Sequence, residues 1–241
     1  MAFAVGLSGI GWLALAAWNA SPHARYLHHD GLAGSAWTLP ATVAVYVGGW
    51  TLMLIAMMLP STYPLLHLFE RTMSHRSDRT SLVAVLVAGY LAIWVAVGVV
   101  AYAGDTALHR LGHQVPAVEA HPGLVTAGVL AAAGAFQFSS LKYRCLDRCR
   151  SPRSFLVTHW HGQRPVVEAL RLGWAHGRSC VGCCWALMLV MLAVGHGNLG
   201  WMLLLGAAMT VEKVLPAGRR LAAVTGISLL VAALGTVATE M

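Results

Sequence analysis

Apolar residues run along this chain in continuous blocks rather than in alternation. The blocks cover approximately Ala2 to Trp18, Pro40 to Leu59, Ser81 to Ala103, Gly123 to Phe138, Cys180 to Val194, Leu199 to Leu215 and Leu221 to Ala238. A strand buried on one face alternates, so unbroken blocks of this length predict helices. Breakers separate them at Ser21-Pro22, Pro60-Ser61, Pro64, His121-Pro122, Ser151-Pro152 and Pro216. The block opening at Cys180 is short, and its helix is predicted to begin earlier, near Leu172. The block from Leu199 is interrupted in its last turn by Glu212 and Lys213. There is no internal repeat, and residues 1–241 read as one domain.

The composition turns helices into membrane helices. The chain has 241 residues, 58% apolar and 10% charged, with a mean hydropathy of +0.66. Soluble domains are usually about 45–50% apolar and roughly 25% charged. About 20 apolar residues cross the hydrocarbon, and a helix pairs its own backbone groups there. The predicted fold is all-α, a polytopic membrane helix bundle of about seven transmembrane helices. The first block lacks a preceding basic region and a small-residue cleavage site, so no cleavable signal peptide is expected.

The net charge of +7 raises a nucleic-acid reading, which the distribution of charge rejects. The basic residues fall between blocks, with no Arg-rich face, aromatic platform or nucleic-acid motif beside them. Their placement predicts topology instead. Fourteen of the sixteen Lys and Arg follow blocks two, four and six, and only Arg25 and Arg110 follow the others. The positive-inside rule then puts the N-terminus in the cytoplasm and the C-terminus outside. Residues 139–179 become a cytoplasmic loop, with short interfacial helices expected in "SFLVTHWHG" and "VVEALRLGWAHG".

The candidate chemistry is sulfur. "GRSCVGCCW", Gly177 to Trp185, holds Cys180, Cys183 and Cys184, and the other two cysteines are Cys145 and Cys149. In the predicted topology all five lie near the cytoplasmic face. Met57, Met58 and Ser61 close block two there, and Glu212 closes block six. Residues three and four apart share a helix face, which aligns Cys180, Cys184, Met188 and Met191 and, if helical, Cys145 with Cys149. Soft sulfur ligands select Cu(I), zinc or iron–sulfur chemistry. The thioethers favour Cu(I), while Zn(II) prefers four ligands in a tetrahedron, which His176 would complete.

A Cys-x-x-Cys pair at a helix N-terminus also suits redox work, because the helix dipole and Arg178 favour the thiolate. The predicted cytoplasmic side weighs against a disulfide. Glu212, an acid in an apolar block, needs a partner: Lys142, an Arg of the long loop, or a metal. Gln137 is placed to hydrogen-bond across helices. Seven histidines, His23, His28, His29, His109, His113, His121 and His196, fall on the outer side without fixed ligand spacing. No Ser-His-Asp set, P-loop, dinucleotide fingerprint or HExxH is present.

Four motifs together resemble a known family. "WTLMLIAMMLPS" (Trp50 to Ser61), "QFSSLKYRCLDRCRSP" (Gln137 to Pro152), "CVGCCWALM" (Cys180 to Met188) and "NLGWMLLLGAAMTVEKVLP" (Asn198 to Pro216) resemble the bacterial family called domain of unknown function 2182. Its members are described as predicted metal-binding integral membrane proteins. The resemblance implies a bacterial inner-membrane location and supports Met57, Met58, the five cysteines and Glu212 as motif positions. The chain departs from the family at Ser139-Ser140, usually Thr-Pro, and at His196-Gly197, where Met often precedes the Asn.

The expected function is binding of a thiophilic transition metal, Cu(I) first and Zn(II) second. The expected ligands are Cys145, Cys149, Cys180, Cys183, Cys184, Met57, Met58, Met188, Met191 and Glu212. The expected partners are the lipid bilayer and the metal ion, with no nucleic acid. The alternatives are a membrane thiol oxidoreductase using Cys180 and Cys183, and a non-catalytic membrane subunit of a larger complex.

Overall fold

A computed structural model describes residues 2–24, 37–112, 122–194 and 198–240. The described residues form ten helices. They are α1 (Ala2–Asn19), α2 (Leu39–Met57), α3 (Leu59–Thr72), α4 (Arg79–Gly112), α5 (Pro122–Phe136), α6 (Ser140–Cys149), α7 (Pro152–His159), α8 (Pro165–Val194), α9 (Leu199–Val214) and α10 (Gly218–Glu240). Each of the seven apolar blocks lies on its own helix. Three helices among the described residues, Leu39–Met57, Arg79–Ala107 and Gly218–Glu240, are long and apolar enough to cross a membrane. The α5–α6 pair, bent by 65°, passes the same test if its two limbs are taken as one span.

The break expected at Pro60-Ser61 falls at Met58, while Pro64 sits inside the helix that follows. Pro60 falls in the first turn of α3, where its missing N–H has no helical partner to lose. The joint between α2 and α3 is the single residue Met58 (φ −98°, ψ −29°). Around it, Ser61 Oγ donates to the Met58 carbonyl at 2.8 Å and Thr62 Oγ1 to that of Leu59 at 2.7 Å. These hydroxyls satisfy carbonyls near the joint, and α3 continues through Pro64 to Thr72.

The expected 139–179 loop is mostly helical. Ser139 caps α6 by accepting from the Lys142 N–H at 3.1 Å. "SFLVTHWHG" contributes α7, as expected for a short helix. "VVEALRLGWAHG" is not separate: it is the first half of the 30-residue helix α8. Pro165 starts α8, and the Glu168 carboxylate accepts from the backbone N–H groups of His161, Gly162, Gln163 and Arg164 at 2.6–3.1 Å. Four donors on one carboxylate favour its charged form and hold its pKa at about 2.

Small residues let the helices approach closely. The most extensive pairing is α4 with α8. A Cβ at Gly89 would lie 2.5 Å from the Leu170 carbonyl oxygen, and one at Gly177 would lie 3.1 Å from that of Tyr90. Gly134 of α5 and Gly226 of α10 face each other, each 3.0 Å from the other's carbonyl oxygen by the same measure. Trp50 of α2 donates its indole N–H to the Trp94 carbonyl of α4 at 3.0 Å. Such contacts are typical of helices joined by packing rather than by burial of apolar area.

The charge pattern needs one correction. Lys142 and Lys213 are buried in α6 and α9, 0% and 6% exposed, so neither is a solvent-facing loop residue. Without these two, twelve of the remaining fourteen basic residues still follow the second, fourth and sixth apolar blocks. The asymmetry survives without them.

Candidate metal centre

The cysteines converge. Cys180 lies roughly halfway along α8, with Cys180, Cys183 and Cys184 each no more than 1% exposed. Cys180 and Cys184 share a face, with sulfurs 3.9 Å apart. The Met58 thioether, from the α2–α3 joint, stands 3.8 Å from Cys184 Sγ. These three sulfurs form a nest between two parts of the fold. Metal–thiolate bonds run about 2.3 Å, so one ion bonded to both thiols is compatible with a 3.9 Å separation.

The second group meets the first from α6. Because α6 is helical, Cys145 and Cys149 share a face, and that face is turned to α8. Cys149 Sγ is 4.0 Å from Cys183 Sγ. Cys145, half-buried, lies against Gly182, where a Cβ would stand 2.5 Å from its sulfur. Cys183 and Cys184 also point their thiols at the Cys180 carbonyl oxygen, at 3.1 and 2.8 Å. All five cysteines are free thiols.

The helix-mouth argument for redox chemistry does not hold. Cys180 follows four turns of α8 rather than opening it, so the N-terminal dipole that would favour its thiolate is remote.

The remaining expected ligands divide. Met188 and Met191 lie one and two turns beyond Cys184 in the same buried core, 2% and 0% exposed. Met57 is buried against Gly206 of α9, where a Cβ would lie 3.4 Å from the Met57 side chain. Among the described residues, seven methionines join the core around the cysteines. Glu212 of α9 has a different partner. Its Oε2 is 2.6 Å from Lys142 Nζ, and both side chains are buried. Among the described residues its Oε1 has no hydrogen-bond partner.

Two residues at the centre carried no sequence signal for it. Lys213, adjacent to Glu212, turns to the other side of α9. Its Nζ lies 3.0 Å from Cys180 Sγ, 3.2 Å from Ser61 Oγ, 3.7 Å from Met58 Sδ and 3.9 Å from Cys184 Sγ. Tyr90 of α4 brings its hydroxyl to 3.1 Å from Cys180 Sγ. The only available clue to Lys213 was a basic residue inside an apolar block.

His176 is buried between the rings of Tyr90 and Phe155, and among the described residues its Nδ1 has no hydrogen-bond partner. Among the described residues, no group of three or more His, Cys, Asp or Glu side chains stands ready to hold a metal ion. The four-ligand zinc set with His176 is therefore not assembled. What is assembled is two thiols and a thioether, the small soft donor set that suits Cu(I). Of the outer histidines, His28, His29, His113, His121 and His196 lie outside the described residues, as does the side chain of His109.

No curated protein and no solved structure matches the chain. A protein-family model does, over residues 47–236, and its description reads "PpoB2: Copper chaperone". The match supports the metal-handling side of the motif resemblance, and its description names copper; it does not carry the domain-of-unknown-function name. It spans Met58, every cysteine and Lys213, and by it the chain belongs to the PpoB2 copper chaperone family.

Proposed function

We propose that the protein is a membrane-embedded Cu(I) carrier that takes its cargo onto Cys180, Cys184 and Met58. The observation that carries this reading is the sulfur nest itself: three soft donors from α8 and the α2–α3 joint, buried and within 4 Å in sequence, Cys180 to Cys184 to Met58. Thiolate and thioether ligands together select Cu(I) over harder ions, and the family description names copper. The remaining thiols form a graded approach. Cys145 is half-buried, Cys149 is 7% exposed and Cys183 is 1% exposed beside it. An ion received at Cys145 passes by ligand exchange to Cys149 and Cys183, and then to the nest.

Support for the membrane setting comes from where apolar and charged groups lie. Leu13, Val100 and Leu234 are more than 70% exposed on the outer faces of α1, α4 and α10. Lys142, Glu212 and Lys213 are turned inward. A chain whose solvent is hydrocarbon arranges its residues this way. The seven apolar helices, the inner-membrane location and a cytoplasmic N-terminus belong to the same proposal, carried by the loop charges.

The test is copper content after purification from copper-supplied cells. Wild type is expected to hold Cu(I), and Cys180→Ser/Cys184→Ser to lose it while remaining folded. Absence of copper from gently purified wild type contradicts the reading.

A further inference from the structure

The nest is lined for a cation and already faces one. Lys213 reaches it from α9, buried, and among the described residues its ammonium contacts no carboxylate. Its contacts are the sulfurs of Cys180, Met58 and Cys184 and the hydroxyl of Ser61. The neighbouring acid, Glu212, is committed to Lys142. A buried ammonium without a carboxylate relies on whatever acceptors surround it. Here those acceptors are the same donors that suit Cu(I).

We propose that Lys213 is the resident cation of the sulfur nest, displaced by Cu(I) on loading and returning to the sulfurs on release. The proposal rests on the copper reading above and deepens it. Cu(I) takes the ammonium's place beside Cys180 and brings one positive charge to the sulfurs, as the ammonium did. The sulfurs select for softness. The exchange moves no electron: copper enters and leaves as Cu(I), the copper–sulfur bonds form as the ammonium–sulfur hydrogen bonds break, each thiol that binds as a thiolate gives its proton to water on loading and regains one on release, and no covalent bond of the lysine changes. Lys213 also lowers affinity, because the ammonium competes for the sulfurs. A carrier that must surrender its cargo gains from such a competitor.

The experiment is a Cu(I) competition titration against a chromogenic Cu(I) chelator, on the full chain in detergent. It compares wild type with Lys213→Leu and Lys213→Gln. Both variants remove the competing charge, and at least tenfold tighter Cu(I) binding is expected in each folded variant, with slower release to the chelator. Binding equal to or weaker than wild type in a folded variant overturns the proposal and leaves the copper reading intact. Wild type that binds no Cu(I) overturns both.

A second measurement needs no variant. Lys213 acylation by an amine reagent, read by mass spectrometry, is compared with and without one equivalent of Ag(I), a redox-inert stand-in for Cu(I). A rise of at least threefold on loading is expected. Unchanged labelling with Ag(I) bound overturns the proposal even if neither variant folds.

Discussion

Lys142 of α6 holds its ammonium 2.6 Å from the Glu212 carboxylate of α9, and both side chains are buried. The pair locks the cysteine-bearing α6 to the helix that carries Lys213. Removing one partner strands the other charge, so Lys142→Met is expected to cost about 3–5 kcal/mol. The double variant Lys142→Met/Glu212→Leu is expected to recover most of that loss, as apolar replacements of buried pairs often do. Denaturant or thermal unfolding in detergent checks both. If Glu212 serves as ion-pair partner rather than ligand, the double variant also keeps its copper. A folded double variant without copper makes Glu212 a ligand.

Cys145 stands at the more exposed end of the thiol series, against Gly182. Cys145→Ser is expected to slow Cu(I) loading several-fold while leaving bound copper per chain unchanged. Stopped-flow transfer from a Cu(I)–chelator complex separates the two quantities. Loss of stoichiometry in Cys145→Ser places Cys145 in the holding site instead.

Gly89 bears directly on the α4–α8 packing, since a Cβ there meets the Leu170 backbone oxygen at 2.5 Å. Neither helix backbone yields easily, so Gly89→Ala is expected to destabilise by about 1–3 kcal/mol, the usual cost of overpacking. Gly48 of α2 has nothing within 4 Å of the same position. Gly48→Ala is therefore expected to be neutral or to stabilise by roughly 0.5–1 kcal/mol. Thermal unfolding of the two variants side by side checks the contrast.

Glu168 supplies a pH dependence outside the apolar core. Its pKa is drawn from an ordinary 4.5 to about 2 by the four N–H groups it accepts from. A depressed folded pKa contributes stability that is fully present above the unfolded value. That stability is lost as pH falls from about 4.5 toward 2. Hydrogen exchange at residues 161–164, taken relative to its intrinsic rate at each pH, is expected to accelerate as pH falls across that window in wild type. In Glu168→Gln it is expected to be faster at neutral pH and to lack the Glu168 step.

The helices were legible because apolar blocks announce themselves, and each of the seven blocks lies on a helix. The facing of Cys145 and Cys149 followed from their spacing once α6 proved helical. Lys142 was among the partners anticipated for Glu212. What the sequence concealed was direction. Lys213 looks like a helix-end lysine, and its four contacts come from α3, α8 and the α2–α3 joint, residues far away along the chain. Tyr90 sits in an apolar block with no local sign that it faces Cys180. Pro60 signalled the break that falls at Met58, whereas Pro64 sits inside α3 without ending it. The start of α8 at Pro165 was obscured because Glu168, Arg171 and Arg178 interrupt the apolar pattern.

The most direct measurement is the copper content of the purified full chain, wild type beside Cys180→Ser/Cys184→Ser, from copper-supplied cells. The account expects about one Cu(I) per wild-type chain and none in the folded double variant. Copper retained by the double variant, or wild type free of copper, contradicts it.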